Sequence, residues 1–324
     1  RAVAGTVTGL AAFFSLYAVA NIVVFGVFGG FVSYPLLSLV GDVRMVRSSI
    51  GTHLTARTAA ALLGAPMAWL VVVYLGSLAA LFLTAFWTVD GFTGAVVRTF
   101  TLSNFVDVFT TPAYLSVMGR TLLIAVAVTV IDIVLAVPLA FFIAKVARPR
   151  WRTVLVASVL VPLWASFLVK AFAWRSLVAS PGGVIDRTFG IGIGYGEVAL
   201  VLVLAYLWLP FMVVPIHAGL ERLPDSLIEA AGDLGARFGL TFRTVVLPVL
   251  MPSIVAGSVF TFSLTLGDYI AVGLVGGKTQ MIGSIVYSNH ASNMPLAAAY
   301  ALVPVLVMVL YLVGIRRSGA LEQL

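Results

Sequence analysis

Long apolar stretches follow one another along most of the chain, and short segments that carry the charged residues separate them. An α-helix needs about 20 mainly apolar residues to cross the hydrocarbon core of a bilayer. Six such stretches follow residue 60, near 66–88, 121–146, 153–178, 197–219, 245–266 and 296–315. The pattern predicts an all-α, polytopic transmembrane bundle with a core of six helices. It does not fit a membrane β-barrel, whose strands alternate apolar and polar positions over about ten residues.

A further apolar stretch, about residues 6–38, precedes these six. It is interrupted by Gly26, Gly29, Gly30 and Pro35. This stretch predicts one extra membrane crossing, with a helical hairpin as the alternative. It is long and lacks both a basic start and a clear small-residue cleavage site, which argues against a secretory signal peptide. We therefore expect an N-terminal extension over residues 1–60 and a six-helix domain over residues 61–324.

Composition supports a membrane protein and excludes several chemistries. Apolar residues make up 61% of the 324 residues and charged residues 10%, and the mean hydropathy is +1.13. A soluble domain carries about 25% charged residues and cannot bury this much apolar surface. The chain has no cysteine, which excludes disulfides, thiolate metal sites and a cysteine nucleophile. The three histidines, His53, His217 and His290, lack the spacing of metal ligands, so no metal site is predicted.

The basic residues behind the net charge of +7 are concentrated in alternate loops. They are Arg44, Arg47 and Arg57; Lys145, Arg148, Arg150 and Arg152; Arg222, Arg237 and Arg243; and Arg316 and Arg317. Because positively charged loops of membrane proteins stay on the cytoplasmic side, residues 42–62, 145–152 and 220–244 and the C-terminus are predicted to be cytoplasmic.

One of these loops, residues 220–248, carries the signals of a short helix. Pro224, Asp225 and Ser226 form a helix start, and Ser226 and Glu229 have the spacing of a capping box. Gly235 predicts the end of the helix, and Gly239 predicts a second turn before the chain re-enters the membrane. Residues at helical spacing give the helix one apolar face, namely Leu227, Ala230, Ala231 and Leu234. These signals leave two interpretations: a rigid knob for a partner, or an amphipathic helix on the bilayer surface.

The spacing within this loop resembles a known motif. Glu229, Ala230 and Ala231 are followed after three residues by Gly235, after nine more by Val245, and after one more by Leu247 and Pro248. The arrangement is similar to the EAA motif of bacterial ABC importer permeases of type I, from which only Val245, in place of isoleucine, departs.

Further short segments resemble the spermidine/putrescine branch of these permeases, and the resemblance covers about residues 65–315. The segments are 119–122, 138–140, 161–164, 170–174, 182–185, 209–213, 266–269 and 276–277.

The resemblance implies a permease subunit in a bacterial plasma membrane that works with other proteins. These would be two ATPase subunits, an extracytoplasmic binding protein that delivers a small solute such as a polyamine or related amine, and a second permease. The second permease is either another copy of this chain or a paralogue, and the resemblance favours a paralogue. The helix around Glu229 would be the coupling helix that docks on an ATPase. This chain has no phosphate-binding loop, so ATP and Mg²⁺ would be bound by the ATPase subunits, with no cofactor and no catalysis here.

Ionisable residues inside membrane spans are costly and therefore mark candidate sites on a translocation path. Asp132 lies midway along the stretch 121–146. It is either a carboxylate that lines the path or a buried acid that is hydrogen-bonded to a neighbouring helix. Lys170 lies within the stretch 153–178 and either pairs with Asp132 or extends to an interface. The resemblance favours a structural or gating role for Lys170.

An acidic residue and several aromatic residues near the span ends are weaker candidates. Asp268 and Tyr269 follow the fifth span, at the predicted outer mouth of a path, where Tyr269 could equally be an interfacial anchor. Trp164 and Trp174 are either packing residues or walls of a cation–π site.

Two rival functions require features that the sequence does not show. An ion-coupled secondary transporter requires inverted repeats and broken helices around a midplane site, and the sequence shows no convincing repeat. A membrane-embedded enzyme requires a catalytic constellation, and the sequence contains no matching nucleophile and base.

Overall fold

The computed structural model describes residues 56–179, 183–190 and 192–317. The predicted crossing at residues 6–38 lies outside these ranges. The helices of the described part are α1 Ala56–Thr84, α2 Ser103–Thr110, α3 Pro112–Phe141, α4 Pro149–Trp164, α5 Phe167–Trp174, α6 Val184–Phe189, α7 Glu197–Arg222, α8 Asp225–Asp233, α9 Phe238–Thr241, α10 Leu247–Gly267, α11 Ile270–Val275, α12 Ile282–Asn289 and α13 Met294–Arg317. Turns of π-helix follow three of them, at Phe142–Val146, Arg175–Ala179 and Phe242–Val246. The chain divides into two compact units between Leu81 and Phe82, a boundary that falls within α1.

Helices of membrane-spanning length and composition match most of the predicted spans. Within the described ranges, four continuous segments qualify, at Pro112–Val146, Glu197–Arg222, Phe238–Gly267 and Met294–Arg316. The first predicted span, 66–88, corresponds to the C-terminal part of α1, of which Ala68–Thr84 is a shorter apolar helix. Two spans begin earlier than the sequence predicts, because amphipathic turns precede their apolar parts.

The stretch 153–178 is not the single continuous helix that its hydrophobicity predicts. It forms two helices, Pro149–Trp164 and Phe167–Val178, that are bent by 97° relative to each other. At the break, Ala165 and Ser166 adopt extended backbone angles, with ψ of 143° and 134°. Neither residue interrupts the apolar pattern strongly enough to reveal the break, so hydropathy alone describes one span.

A small β-hairpin lies between α1 and α2. β1, Thr88–Val89, pairs antiparallel with β2, Val96–Val97, with Thr88 opposite Val97. Asp90 holds the turn by accepting hydrogen bonds from the backbone N–H groups of Thr93 at 2.8 Å and Phe92 at 2.9 Å. These bonds stabilise the charged carboxylate and lower the pKa of Asp90 below its ordinary value.

The centre of the bundle is α7, which packs against both α3 and α10. Glycine permits the close approach of α7 and α10. A Cβ atom on Gly257 would lie 2.6 Å from Met212 Sδ and 3.1 Å from Met212 Cα, and one on Gly219 would lie 2.2 Å from Ser253 Oγ. Small residues at a helix interface let two backbones approach, a common packing device in membranes.

Candidate functional site

The short helix α8 forms the connection between two membrane-spanning helices. α7 ends at Arg222, and the next span already begins at Phe238. The loop that carries α8, named the coupling loop after its predicted role, is therefore residues 223–237, which is shorter than the predicted 220–248. Gly239 lies inside α9 and not at a turn, so the prediction of a second turn there is wrong. In this region the chain is already helical, because Phe238 and Phe242 pack on Phe141 at ring-centroid distances of 5.7 and 5.9 Å.

The start of α8 is held by a distant residue and not by the predicted capping box. Pro224 precedes the helix, and no side chain caps its first N–H groups. The Lys145 Nζ atom, at the end of the third helix, donates to Asp225 Oδ1 and to the Leu223 carbonyl oxygen, both at 2.6 Å. The hydrogen bond and the charge of Lys145 lower the pKa of the Asp225 carboxyl below its ordinary value. Lys145 therefore fastens the coupling loop to the membrane bundle.

The end of α8 follows the prediction for Gly235. This glycine has a φ of 81°, in the left-handed region that disfavours residues with a Cβ atom. The Gly235 N–H donates to the Gly232 carbonyl at 2.8 Å, and the Ala236 N–H donates to the Ala231 carbonyl at 3.0 Å. This pair of bonds is a Schellman motif, which satisfies the last carbonyls of the helix and turns the chain sharply.

The apolar side chains of α8 divide between two directions. Ile228 packs inward on the cluster of Leu223 and Val246 at the base of the loop. By contrast, Leu227 is 46% exposed and Leu234 is 89% exposed, and Glu229 and Ala230 are exposed beside them. The helix thus presents apolar and small side chains with one carboxylate on its outer side, a surface suited to a partner.

The remaining motif residues lie in the helix that follows the loop. Leu247 is half-buried and packs on the same cluster as Ile228, while Val245 is half-buried in the preceding π-helical turn. Pro248 lies in the first turn of α10, where its missing N–H does little harm. The motif therefore extends from the outer surface of α8 to the cluster of Leu223 and Val246 at the base of the loop.

Asp132 lies on α3, is fully buried, and neither of its carboxylate oxygens has a hydrogen-bond partner among the described residues. Lys170 is half-buried on α5. Neither Asp132 nor Lys170 belongs to an ion pair within the described ranges, so the two do not form the pair that the sequence suggested. Among the described residues, the alternative of a hydrogen bond from a neighbouring helix is not formed either, and no cation there compensates the buried Asp132 carboxyl group.

The other candidates lie at the opposite end of α10 from the coupling loop. Asp268 is buried and its Oδ1 atom accepts a hydrogen bond from the Ala271 N–H at 2.8 Å, at the start of α11. Tyr269 is exposed and stacks on Tyr287 with a ring-centroid distance of 4.7 Å. Trp174 packs against Tyr206 with the ring centroids 5.0 Å apart.

Sequence reasoning missed two groups of residues. The sequence marks Lys145 only as a positively charged loop residue. No residue near it in the sequence indicates that it anchors the coupling loop. Phe167 and Trp208, with ring centroids 5.8 Å apart, were not singled out either. They come together because of the break between α4 and α5, which the apolar pattern does not reveal.

Comparisons with known proteins agree with this architecture. Residues 116–319 match the protein family described as "Binding-protein-dependent transport system inner membrane component". The chain is 42% identical over 283 residues to the inner membrane ABC transporter permease protein YdcU of Escherichia coli K12, covering 81% of this chain and 90% of that protein. It is 31% identical over 238 residues to the spermidine/putrescine transport system permease protein PotB of the same organism, covering 70% of this chain and 85% of PotB.

Two solved structures share the fold. One is the crystal structure of a bacterial ABC transporter involved in the import of the acidic polysaccharide alginate. The chain superposes on it with a TM-score of 0.62 at 17% identity, covering 79% of this chain and 94% of the other. The second is a bacterial alginate ABC transporter in complex with an alginate pentasaccharide-bound periplasmic protein, also with a TM-score of 0.62, at 15% identity.

Proposed function

This chain belongs to the family of binding-protein-dependent transport system inner membrane components, and from this premise we propose that it carries a small amine, such as a polyamine, into the cell. Members of this family are non-catalytic permease subunits of ABC importers, multi-pass proteins of the inner membrane that translocate a solute delivered by a binding protein. They hold no cofactor, because ATP is bound by the ATPase partner. Family membership excludes the rival interpretation as an ion-coupled transporter.

The proposed assembly contains two ATPase subunits, a second permease that is a paralogue of this chain, and an extracytoplasmic binding protein. The solved alginate transporter with its bound periplasmic protein supports the last of these by analogy of fold. We place the coupling loop and the C-terminus on the cytoplasmic side, because the positively charged residues cluster at those loops.

The coupling loop is the observation that supports an ATP-driven mechanism. The Lys145 contacts at its start and the Schellman motif at its end hold α8 at a defined angle to the bundle. Its exposed leucines and alanine, with Glu229 at the rim, form a surface that a groove on the ATPase can bind. Since α8 is held at both ends, movement of the ATPase would be passed to α7 and α10 and would bias the bundle between two states.

A small amine is the proposed substrate class because two independent features favour a cation. The PotB relatives transport spermidine and putrescine, according to their names. In addition, Asp132 is a buried acid with no partner in the described residues, and a passing ammonium group would compensate its charge. The boundary between residues 1–60 and the six-helix domain at 61–324 is proposed from the position of the first of the six apolar stretches.

The assembly is tested by gentle affinity purification of the chain from its native membrane, followed by mass spectrometry. We expect an ATPase, a second permease and a binding protein. Since the chain has no native cysteine, Glu229→Cys offers one unique crosslinking site, which should capture the ATPase. A cysteine at exposed Ser292, on the opposite side of the bundle, should not capture it. Recovery of the chain alone, with no crosslink through position 229, would contradict the proposed coupling.

The substrate is tested with the purified assembly in liposomes and radiolabelled putrescine. Uptake should require ATP and the binding protein, and it should persist when ion gradients are collapsed. Absence of ATP-dependent uptake of putrescine and of spermidine would remove the amine assignment, while leaving membership of the permease family untouched.

A further inference from the structure

A pocket of about 310 Å³ opens at the end of α10 that lies opposite the coupling loop. Phe167, Trp208, Ser263, Leu264, Gly267, Asp268, Tyr269 and Ile270 line it. Three separate parts of the fold contribute these residues: the first turn of α5, the middle of α7 and the end of α10 with the turn after it. Phe167 follows the 97° break directly, so the pocket exists because the fourth and fifth helices do not form one straight span.

The lining residues have the composition of a site for an organic cation. They include one carboxylate, three aromatic side chains and two hydroxyl groups, those of Ser263 and Tyr269, and none of them is basic. Aromatic faces attract ammonium groups through the quadrupole of the ring, and a nearby carboxylate supplies the opposite charge. The volume is at the lower end of the range for small-molecule pockets, which suits the end of an alkyl amine.

Asp268 accepts a backbone hydrogen bond but has no basic partner among the described residues. Its Oδ1 atom accepts the Ala271 N–H at 2.8 Å, which fixes the orientation of the carboxyl group at the start of α11. Its residue is only 8% exposed, and no basic side chain pairs with it in the parts of the chain that the structure describes. A buried carboxylate held by backbone N–H groups but without a basic partner would be stabilised further by a cation in the pocket.

The aromatic walls are held by packing that does not depend on Asp268. The rings of Phe167 and Trp208 lie 5.8 Å apart, and Trp208 also contacts Phe211 at 5.9 Å. Tyr269 is held from the other side by its stack on Tyr287. Trp208 Nε1 is buried without a described partner, so the ring and not its N–H is available to a ligand.

We propose that this pocket binds the ammonium group of the transported amine at the entrance of the permease, with Asp268 as its counter-charge and the rings of Trp208, Phe167 and Tyr269 as walls. This inference rests on the proposed function, since it assigns a binding site to the same substrate class. A permease with this site would select for a cation in addition to the selection made by the binding protein.

The chain has no native cysteine, so Ser263→Cys introduces a unique thiol into the pocket. The assembled transporter is treated with 2-aminoethyl methanethiosulfonate, which is a cation, or with 2-sulfonatoethyl methanethiosulfonate, an anion of similar size. Each rate is normalised to that of Ser292→Cys, an exposed position that does not line the pocket, and modification is read by mass spectrometry of this chain. We expect the cationic reagent to be favoured by about tenfold or more, and putrescine to slow its reaction.

The second step adds Asp268→Asn to the same thiol variant. Asparagine keeps an oxygen that can accept the Ala271 N–H but removes the charge, so the preference for the cationic reagent should disappear. Asp107→Asn, at an exposed carboxylate on α2, should leave the preference unchanged. If the preference survives Asp268→Asn, or if putrescine does not slow the cationic reagent, the proposed site is wrong.

The aromatic walls are tested by the KM of ATP-driven putrescine uptake. Trp208→Leu should raise KM about threefold to tenfold, whereas Trp208→Phe keeps a ring and should stay near the wild-type value. Equal KM values for the two variants would overturn the role of the ring. Failure of the wild-type transporter to take up any amine would instead overturn the proposed function, so the two failures are distinguishable.

Discussion

Lys145 and Asp225 are 80 positions apart in sequence, yet Nζ of the first lies 2.6 Å from Oδ1 of the second. The same ammonium group donates to the Leu223 carbonyl, so one side chain holds both the last turn before the coupling helix and its first residue. Asp225 is well exposed and Lys145 is not. The backbone contact is therefore the better shielded of the two and the more important for holding the loop.

This difference in exposure predicts that Lys145→Met will loosen the coupling loop more than Asp225→Asn. An exposed ion pair contributes little to stability, while loss of the lysine also leaves the Leu223 carbonyl without its donor. We expect faster hydrogen exchange in residues 223–237 and less transport per ATP hydrolysed in Lys145→Met. Arg148→Met, at an exposed neighbouring position, is the control. Equal behaviour of the two test variants would contradict the proposed anchor.

Gly235→Val should uncouple ATP hydrolysis from transport while leaving membrane insertion intact. The φ of 81° at this position is strained for a β-branched residue, at a cost of about 1–3 kcal/mol, and the Schellman turn would be lost. Uptake in liposomes and ATPase activity are measured together. Gly232→Ala, in the interior of α8 where the surrounding space is open to a methyl group, should behave as wild type or be slightly more stable. Normal coupling in Gly235→Val would remove the requirement for the turn.

Glu229→Arg should also uncouple transport, because it reverses the charge at the exposed rim of the coupling helix. Unlike Gly235→Val, it leaves the backbone free of strain, so the thermal stability of the chain should not change. Crosslinking and co-purification with the ATPase report docking directly. Asp233→Arg, at the exposed C-terminal end of the same helix, is a matched charge reversal outside the motif. If both reversals reduce docking equally, Glu229 has no specific contact.

Asp132→Asn should slow uptake of a cationic substrate more than it weakens ATPase docking. A buried polar group without a partner destabilises a fold by about 1–3 kcal/mol, so Asp132→Leu should raise the thermal unfolding temperature while still impairing transport. Opposite changes in stability and transport are the signature of a residue kept for function. An unchanged uptake rate in Asp132→Asn would identify the residue as structural only.

Gly257→Val should destabilise the bundle by separating α7 from α10. Its side chain would meet Met212 Sδ and Cα at distances that no relaxed contact allows, and such overpacking costs about 1–3 kcal/mol. Thermal unfolding in detergent measures the effect. Gly239→Ala, where a Cβ atom would meet nothing within 4 Å, is the matched control. Equal unfolding temperatures for the two variants would contradict the close approach of these helices.

Sequence reasoning located the motif surface well and its supports poorly. Gly235 ends the coupling helix as its type and position predict, since only the local backbone decides where a left-handed residue is needed. The capping box of Ser226 and Glu229 is not formed, because the helix already begins at Asp225 and Ser226 lies inside it and not at its N-cap. Leu227 and Leu234, which the sequence assigns to one apolar face, lie exposed, whereas Ile228 packs on the chain's own core.

By itself the sequence determined that this is a helical membrane bundle and which family it belongs to. Span length follows from the thickness of the hydrocarbon core, and the motif around Glu229 and Gly235 has a fixed local spacing, so both can be read from neighbouring residues. Only the tertiary structure decided where the span 153–178 breaks, that Lys145 holds the coupling loop, and that Phe167, Trp208 and Asp268 share a pocket. The last two depend on contacts between residues that are far apart in sequence. Apolar periodicity carries no information about which helix faces which.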